Sequence, residues 1–304
     1  MTRVAVVDIG TNSTRLLVAE PDGAGGLREL ARESIVTRLG EGVDATGRLG
    51  DEPQARVFRV LDGFRETMDA HDADVRTAVM TSAVRDAANG AEFAAVVRDR
   101  YGLEGRTLSG DEEARLSFLG ATASRPGDAE LLVIDIGGGS TEMVEGAGTQ
   151  VEFHVSTQVG VVRHTERFLH TDPPTADELD ALAQAARETI EAAVPADVRE
   201  RVQAAIAVAG TATQLAAIDL ELDPYDRSRI EGHRLSRARL QALQDRLAAV
   251  PLPERREITG LDPARAPTIV AGVTVLLQVA GAFELEAVEV SERDILWGVA
   301  LDST

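Results

Sequence analysis

A seven-residue segment occurs twice in this chain. Asp8-Ile9-Gly10-Thr11-Asn12-Ser13-Thr14 returns 127 residues later as Asp135-Ile136-Gly137-Gly138-Gly139-Ser140-Thr141, with five of the seven positions identical. An apolar, strand-like run precedes each copy, Val4–Asp8 in the first and Leu131–Ile136 in the second. The spacing is about one domain length, so the repeat points to two lobes built on one plan. In each copy a buried strand ends at Asp and turns on small residues. Glycines let successive backbone N–H groups converge into a nest that suits an anion, and Ser and Thr hydroxyls add donors. A strand-end Asp suits a hydrated divalent cation that also touches phosphate oxygens. Two such turns facing each other would grip adjacent phosphates. For either copy alone, a plain β-hairpin turned on glycine is the competing explanation. The spacing does not match the Gly-x-Gly-x-x-Gly dinucleotide fingerprint.

Composition narrows the chemistry. The chain has no lysine, so a P-loop, a pyridoxal-phosphate Schiff base and a protein-kinase lysine are all excluded. It has no cysteine, which excludes disulfides, thiolate metal sites and a cysteine nucleophile and fits a reducing compartment. A formal net charge of −20 argues against nucleic acid as a partner. Any phosphate site must therefore be built locally from backbone N–H groups, a few arginines and a metal. The amino terminus shows no basic region followed by an apolar core, so no signal peptide is expected. The apolar stretch Thr268–Phe283 is broken by Gly272, Gln278 and Gly281, too short to span a bilayer. A soluble, cytoplasmic protein is expected, and its 304 residues suggest two domains or one large one.

Periodicity predicts strands at Val4–Asp8, Leu16–Ala19, Val75–Met80, Leu131–Ile136, Met143–Glu145, Val151–Ser156, Ala204–Ala209 and Val288–Val290. It predicts helices at Glu52–Ala70, Ala91–Tyr101, Glu112–Thr122, Thr175–Ala193, from Thr213, at Ser236–Val250 and Pro267–Phe283, and from about Arg293. Thr175 and Glu178 form a capping-box pattern. A loose glycine turn is expected at Gly23–Gly26. Strands alternating with helices indicate an α/β protein.

Two further segments could carry chemistry. In Ser109-Gly110-Asp111-Glu112-Glu113-Ala114-Arg115, acidic residues open a helix, where they complement the macrodipole and Ser or Gly can cap. The functional alternative is that one carboxylate turns inward and activates a water. Arg85 follows a predicted strand and is either a phosphate ligand or a solvated surface arginine. The five histidines show no metal-ligand spacing.

With these residues in view, the chain resembles the exopolyphosphatase and guanosine-pentaphosphate phosphohydrolase (Ppx/GppA) family. That family shares the fold superfamily of actin, sugar kinases and the 70-kDa heat-shock chaperones. The resemblance runs nearly end to end. It takes in both glycine turns with Glu142, Arg85, the Ser109–Arg115 stretch, Gly160-Val161-Val162-Arg163-His164-Thr165-Glu166 and Ala209-Gly210-Thr211-Ala212-Thr213. It implies an α/β fold of two ribonuclease-H-like lobes with an interlobe cleft. Lobe I would be residues 1–124 and lobe II residues 125–289, with a last helix at about 290–304 returning to lobe I. It also implies a short member, without the additional helical domains of longer ones.

By this resemblance, Glu113 would be the general base. Asp135 and Glu142 would organise Mg²⁺ or Mn²⁺, with Asp8 a weaker ligand. Gly10, Thr11, Asn12, Ser13, Arg85, Gly137, Gly138, Gly139, Ser140 and Thr141 would hold phosphates. The implied reaction is hydrolysis of terminal phosphoanhydrides in inorganic polyphosphate, short chains being favoured, or in guanosine pentaphosphate. No membrane partner is expected, and a homodimer is. A phosphotransferase of the same superfamily and a catalytically silent phosphate-chain sensor are the competing functions. Many relatives carry Leu-Arg-Glu-Gly where this chain has Ile295-Leu296-Trp297-Gly298, a departure expected to alter lobe packing or substrate choice.

Overall fold

The computed structural model describes residues 2–23, 26–123, 125, 130–148 and 150–303. The centre of the expected Gly23–Gly26 turn, position 124 at the expected lobe boundary and Thr304 lie outside the described residues. The chain divides into two compact units, Met1–Arg125 with Asp294–Thr304, and Pro126–Arg293.

The first unit runs β1 (Val4–Ile9), β2 (Ser13–Pro21), β3 (Leu27–Val36), α1 (Val43–Thr46), α2 (Asp51–Ala70), β4 (Val75–Met80), α3 (Ser82–Asp86), α4 (Gly90–Tyr101), β5 (Glu104–Thr107) and α5 (Gly110–Thr122). Its sheet has the order β3-β2-β1-β4-β5. β1 pairs antiparallel with β2 and parallel with β4, and β4 pairs parallel with β5. Alternation sorts the buried strand β1 onto two faces. Ala5, Val7 and Ile9 pack with Val57, Leu61 and Phe64 of α2 and with Phe93 of α4.

The second unit runs β6 (Glu130–Ile136), β7 (Thr141–Ala147), β8 (Gln150–Thr157), α6 (Val161–Phe168), α7 (Ala176–Ala193), α8 (Ala196–Arg201), β9 (Ala204–Val208), α9 (Ala209–Asp219), α10 (Arg227–Ile230), β10 (Arg234–Ser236), α11 (Arg237–Ala248), α12 (Leu252–Arg255), α13 (Ile269–Ala282) and β11 (Ala287–Val290). The chain then re-enters the first unit as α14 (Ile295–Asp302). The second sheet has the order β10-β11-β9-β6-β7-β8. Without the short edge strand β10, this repeats the first sheet strand for strand, antiparallel β6/β7/β8 matching β1/β2/β3 and parallel β6/β9/β11 matching β1/β4/β5. Each unit is a ribonuclease-H-like α/β layer. Leu132, Ile134 and Ile136 pack with residues of α7, α9, α11 and α13.

On the other face of the first sheet, Val4, Val6 and Leu17 pack with Leu116 of α5 and with Ile295, Leu296, Trp297 and Val299 of α14. The departure at Leu296 and Trp297 therefore lies within the core of the first unit. Among the described residues no helix is long and apolar enough to cross a membrane.

The predicted elements all form, with shifted ends. Thr175 and Glu178 make the expected capping box at the start of α7. The largest shift is at β9, expected to run to Ala209 with a helix from Thr213. Ala209 instead takes φ +61° and opens α9 itself. A left-handed alanine is strained by about 1–3 kcal/mol, and no periodicity announces it.

Candidate active site

Ligands of parallel α/β sheets bind outside the carboxyl ends of the strands. In the first unit those ends carry three expected segments. β1 leads into Gly10–Asn12, β4 into Thr81–Arg85, and β5 into Ser109–Glu113. In the second unit β6 leads into Gly137–Ser140 and β9 into Ala209–Thr213.

The two glycine turns are closed and held by matching bonds. Gly10 N–H donates to Ser13 O at 3.0 Å, and Gly137 N–H to Ser140 O at 2.9 Å. A Cβ on Gly10 would stand 3.0 Å from Ser13 O, and one on Gly137 would stand 3.3 Å from Ser140 O. In the first turn, Thr11 O accepts from Gly40 N–H at 2.9 Å and Asn12 O from Thr37 and Arg38 N–H at 3.0 and 2.8 Å. In the second, Gly137 O accepts from Val161 N–H at 2.9 Å and Gly138 O from Val162 N–H at 2.8 Å. Gly139 O accepts from Arg163 Nε at 2.9 Å. A trans peptide points its C=O and the following N–H in opposite directions. These bonds therefore turn the N–H groups of Asn12 and Ser13, and of Gly138, Gly139 and Ser140, the other way. That orientation is what an anion nest requires.

Gly160 shows how tightly the second turn is backed. A Cβ there would lie 2.3 Å from Gly139 C and 2.4 Å from Gly138 O. The residue's own φ of −135° would admit alanine. Gly160→Ala should therefore displace the turn rather than strain position 160. An ångström-scale shift of a positioning group costs about 10²-fold in rate, so kcat is expected to fall about that much while thermal unfolding shows the protein folded.

The hydroxyl of Thr11 is 2.8 Å from Ser82 Oγ and accepts from Ala83 N–H at 3.1 Å. It ties the first turn to the segment that ends in Arg85. Thr141, expected on a phosphate, donates its hydroxyl to Val159 O. Its side chain thus fastens β7 to the backing segment.

The three acidic residues opening α5 separate cleanly. Asp111 and Glu112 are exposed. Glu112 closes a capping box with Ser109, accepting from Ser109 N–H at 2.9 Å while Ser109 Oγ accepts from Glu112 N–H at 3.2 Å. Those bonds hold its carboxyl below the usual range. Glu113 is buried, 8% exposed. Its Oε2 lies 3.1 Å from Arg85 Nη1, which also donates to Leu108 O at 3.2 Å. Arg85 is therefore half-buried against Glu113 rather than a solvated surface group.

Extending the repeat by one residue exposes its main asymmetry. Register sets Asp8 opposite Arg15 and Asp135 opposite Glu142. Directly opposed residues on one face have Cβ atoms about 4.5–5.5 Å apart. In the first unit a cation faces the strand-end Asp: Arg15 Nε donates to Asp8 Oδ2 at 2.9 Å. In the second unit two carboxylates face each other, Asp135 7% and Glu142 1% exposed. Glu142 accepts from Ser156 Oγ at 2.6 Å. Paired buried carboxylates are a donor set that suits a divalent cation, so the residues present fit Mg²⁺ in the second unit better than in the first. Asp8 is not closed off, however. Its Oδ1 is buried with no hydrogen-bond partner among the described residues, and burial pushes its carboxyl above the usual range.

Sequence reading missed the backing segments 37–40 and 160–163 as structural parts of the turns, and missed Arg15. The signal for Arg15 was available, since it occupies the position of Glu142 once the repeat is extended.

Comparison with known proteins gives the chain's family. Residues 17–304 match the model of the Ppx/GppA phosphatase family. The chain is 38% identical to Exopolyphosphatase 2 of Mycobacterium tuberculosis over 314 residues, covering 99% of this chain and 98% of that one. The crystal structure of an exopolyphosphatase-like protein superposes with a TM-score of 0.91 at 35% identity, covering 99% of this chain and 98% of that one. The Aquifex aeolicus member of the Ppx/GppA family superposes with a TM-score of 0.83 at 30% identity, covering 99% and 97%. The repeated sheets, the paired turns and these full-length similarities lead to one conclusion: the chain belongs to the Ppx/GppA phosphatase family.

Proposed function

We propose that this protein hydrolyses the terminal phosphoanhydride of inorganic polyphosphate, releasing orthophosphate, and that short chains are its preferred substrates. The observation that carries the reading is Glu113, turned inward beside Arg85 while its neighbour Glu112 is held in the helix cap. In this reading, Gly10–Ser13 and Gly137–Ser140 each take phosphate oxygens through backbone N–H groups. Arg85 takes a phosphate oxygen and steadies Glu113. Glu113 accepts a proton from the attacking water, a P–O bond forms, and the bond to the bridging oxygen breaks, leaving a chain one phosphate shorter. Hydrolysis of this kind rests on positioning and charge neutralisation. Asp135 and Glu142 would hold Mg²⁺, which supplies charge neutralisation at the phosphoryl oxygens. A cytoplasmic homodimer belongs to the same proposal.

Phosphate release should be measured side by side on short polyphosphate, long polyphosphate, guanosine pentaphosphate and ATP, with and without Mg²⁺. The expected result is Mg²⁺-dependent release, fastest from short polyphosphate. Preferential, processive degradation of very long chains contradicts the chain-length assignment. Guanosine pentaphosphate as the faster substrate moves the specificity to the nucleotide. Turnover only with an added acceptor identifies a phosphotransferase.

A further inference from the structure

The charged groups around Asp8 reach further than the site described so far. Asp8 shares its sheet face with Val4 and Val6, the face that packs on α5 and α14. On that face Arg15 donates to Asp8 Oδ2 through Nε and Nη2, and through Nη1 to Asp294 Oδ2. Arg32, on β3, donates to the same Asp294 oxygen at 3.3 Å. Asp294 is wholly buried. It caps α14, accepting from Leu296 N–H at 3.0 Å, and is the first residue of the chain's return to this unit. Its backbone is fixed as well, because Asp294 O lies 2.0 Å from where a Cβ on Gly120 would stand.

Burying such a network is a poor source of stability. Desolvating each ion is costly, and apolar replacements of like volume often do as well or better. The same face is otherwise filled by Leu17, Leu116 and Leu296, so apolar packing was open to it. What the network does achieve is geometric. Arg15, pinned at its far end by Asp294, fastens one oxygen of Asp8. The other oxygen, Oδ1, is left buried with no hydrogen-bond partner among the described residues. A buried acceptor without a donor is costly, so Oδ1 is poised for a donor that arrives with the substrate, such as a phosphate-bound water.

We propose that Asp294 is a positioning residue for the hydrolytic reaction: through Arg15 it dictates which oxygen of Asp8, two residues before the first glycine turn, is held and which is left bare. The proposal rests on the reading of this protein as a polyphosphate hydrolase. It assigns the last helix a part in the reaction beyond closing the core.

The test compares wild type, Asp294→Asn, Asp8→Asn and the double variant by steady-state phosphate release from short polyphosphate and by thermal unfolding. Asparagine keeps the volume and the N-cap acceptor but removes the charge that holds Arg15. Asp294→Asn is expected to unfold at a lower temperature than wild type, because removing one partner of a buried pair leaves charge uncompensated, yet to be folded at assay temperature, to lower kcat about tenfold and to leave KM within about twofold, the pattern of a group felt in the transition state. Asp8→Asn is expected to lose about 10²-fold, and the double variant no more than Asp8→Asn alone, because residues in one network do not add. Wild-type kcat in Asp294→Asn, or a double variant whose loss is the product of the two single losses, overturns the proposal. Absence of phosphate release from wild type overturns the functional reading and this proposal together.

Discussion

Glu113→Gln is expected to lower kcat for polyphosphate by about 10²–10⁴-fold, the range a general base supplies, with KM changed little. Glutamine preserves the size of the side chain and an oxygen for Arg85 Nη1, which lies 3.1 Å from Glu113 Oε2. The lost function is then proton acceptance and not packing. Glu112 provides the control, one residue away. It is exposed and bonded to Ser109, and glutamine serves the same place in a capping box. Glu112→Gln should therefore keep kcat within about threefold of wild type. Comparable losses in the two variants would show that neither carboxylate is the base and that the helix start as a whole matters. Full activity in Glu113→Gln would remove Glu113 from the mechanism.

Asp135→Asn is expected to raise the Mg²⁺ concentration for half-maximal activity at least tenfold and to lower kcat at ordinary Mg²⁺ by about 10²-fold. The magnitude reflects loss of charge stabilisation in a site shielded from water. The expectation comes from register. Asp135 stands opposite Glu142 across β6 and β7, and removing either leaves a single carboxylate for a cation. Glu142→Gln should shift the Mg²⁺ response in the same direction. The corresponding change in the first unit, Asp8→Asn, should not shift it, because Arg15 already faces that position. Superimposable Mg²⁺ titrations of wild type and Asp135→Asn would contradict the assignment.

Local pattern made much of this fold legible. β1 and β6 are largely apolar runs that lead into turn residues, and α2 and α7 have helical spacing that survives packing. β3 and β5 were not legible, for different reasons. β3 is charged along much of its length because it lies at a sheet edge. β5 is Glu-Gly-Arg-Thr, wholly exposed, and is a strand only because β4 pairs with it from Thr77 to Met80. In the site, the repeated turns were visible as a repeat, and Ser109 was readable as a cap, while its pairing with Glu112 in a capping box came from the structure. That bond accounts for Glu112 and leaves Glu113 one position on, buried, a choice among the three acids that the residues alone had left open. Arg15 was one position beyond the compared segment. Asp294 was out of reach of any local pattern, since its partner Arg15 lies 279 residues away. Nothing in Arg293-Asp294-Ile295 distinguishes a buried charge from an ordinary helix cap.

The most direct test is a crystal structure of Glu113→Gln with tripolyphosphate and Mg²⁺. The phosphate chain should accept hydrogen bonds from backbone N–H groups of residues 11–13, with the residue 113 amide beside the terminal phosphorus. Tripolyphosphate bound away from residue 113, or with no contact to the first glycine turn, would contradict the assignment of Glu113 as the base of a phosphate-chain hydrolase.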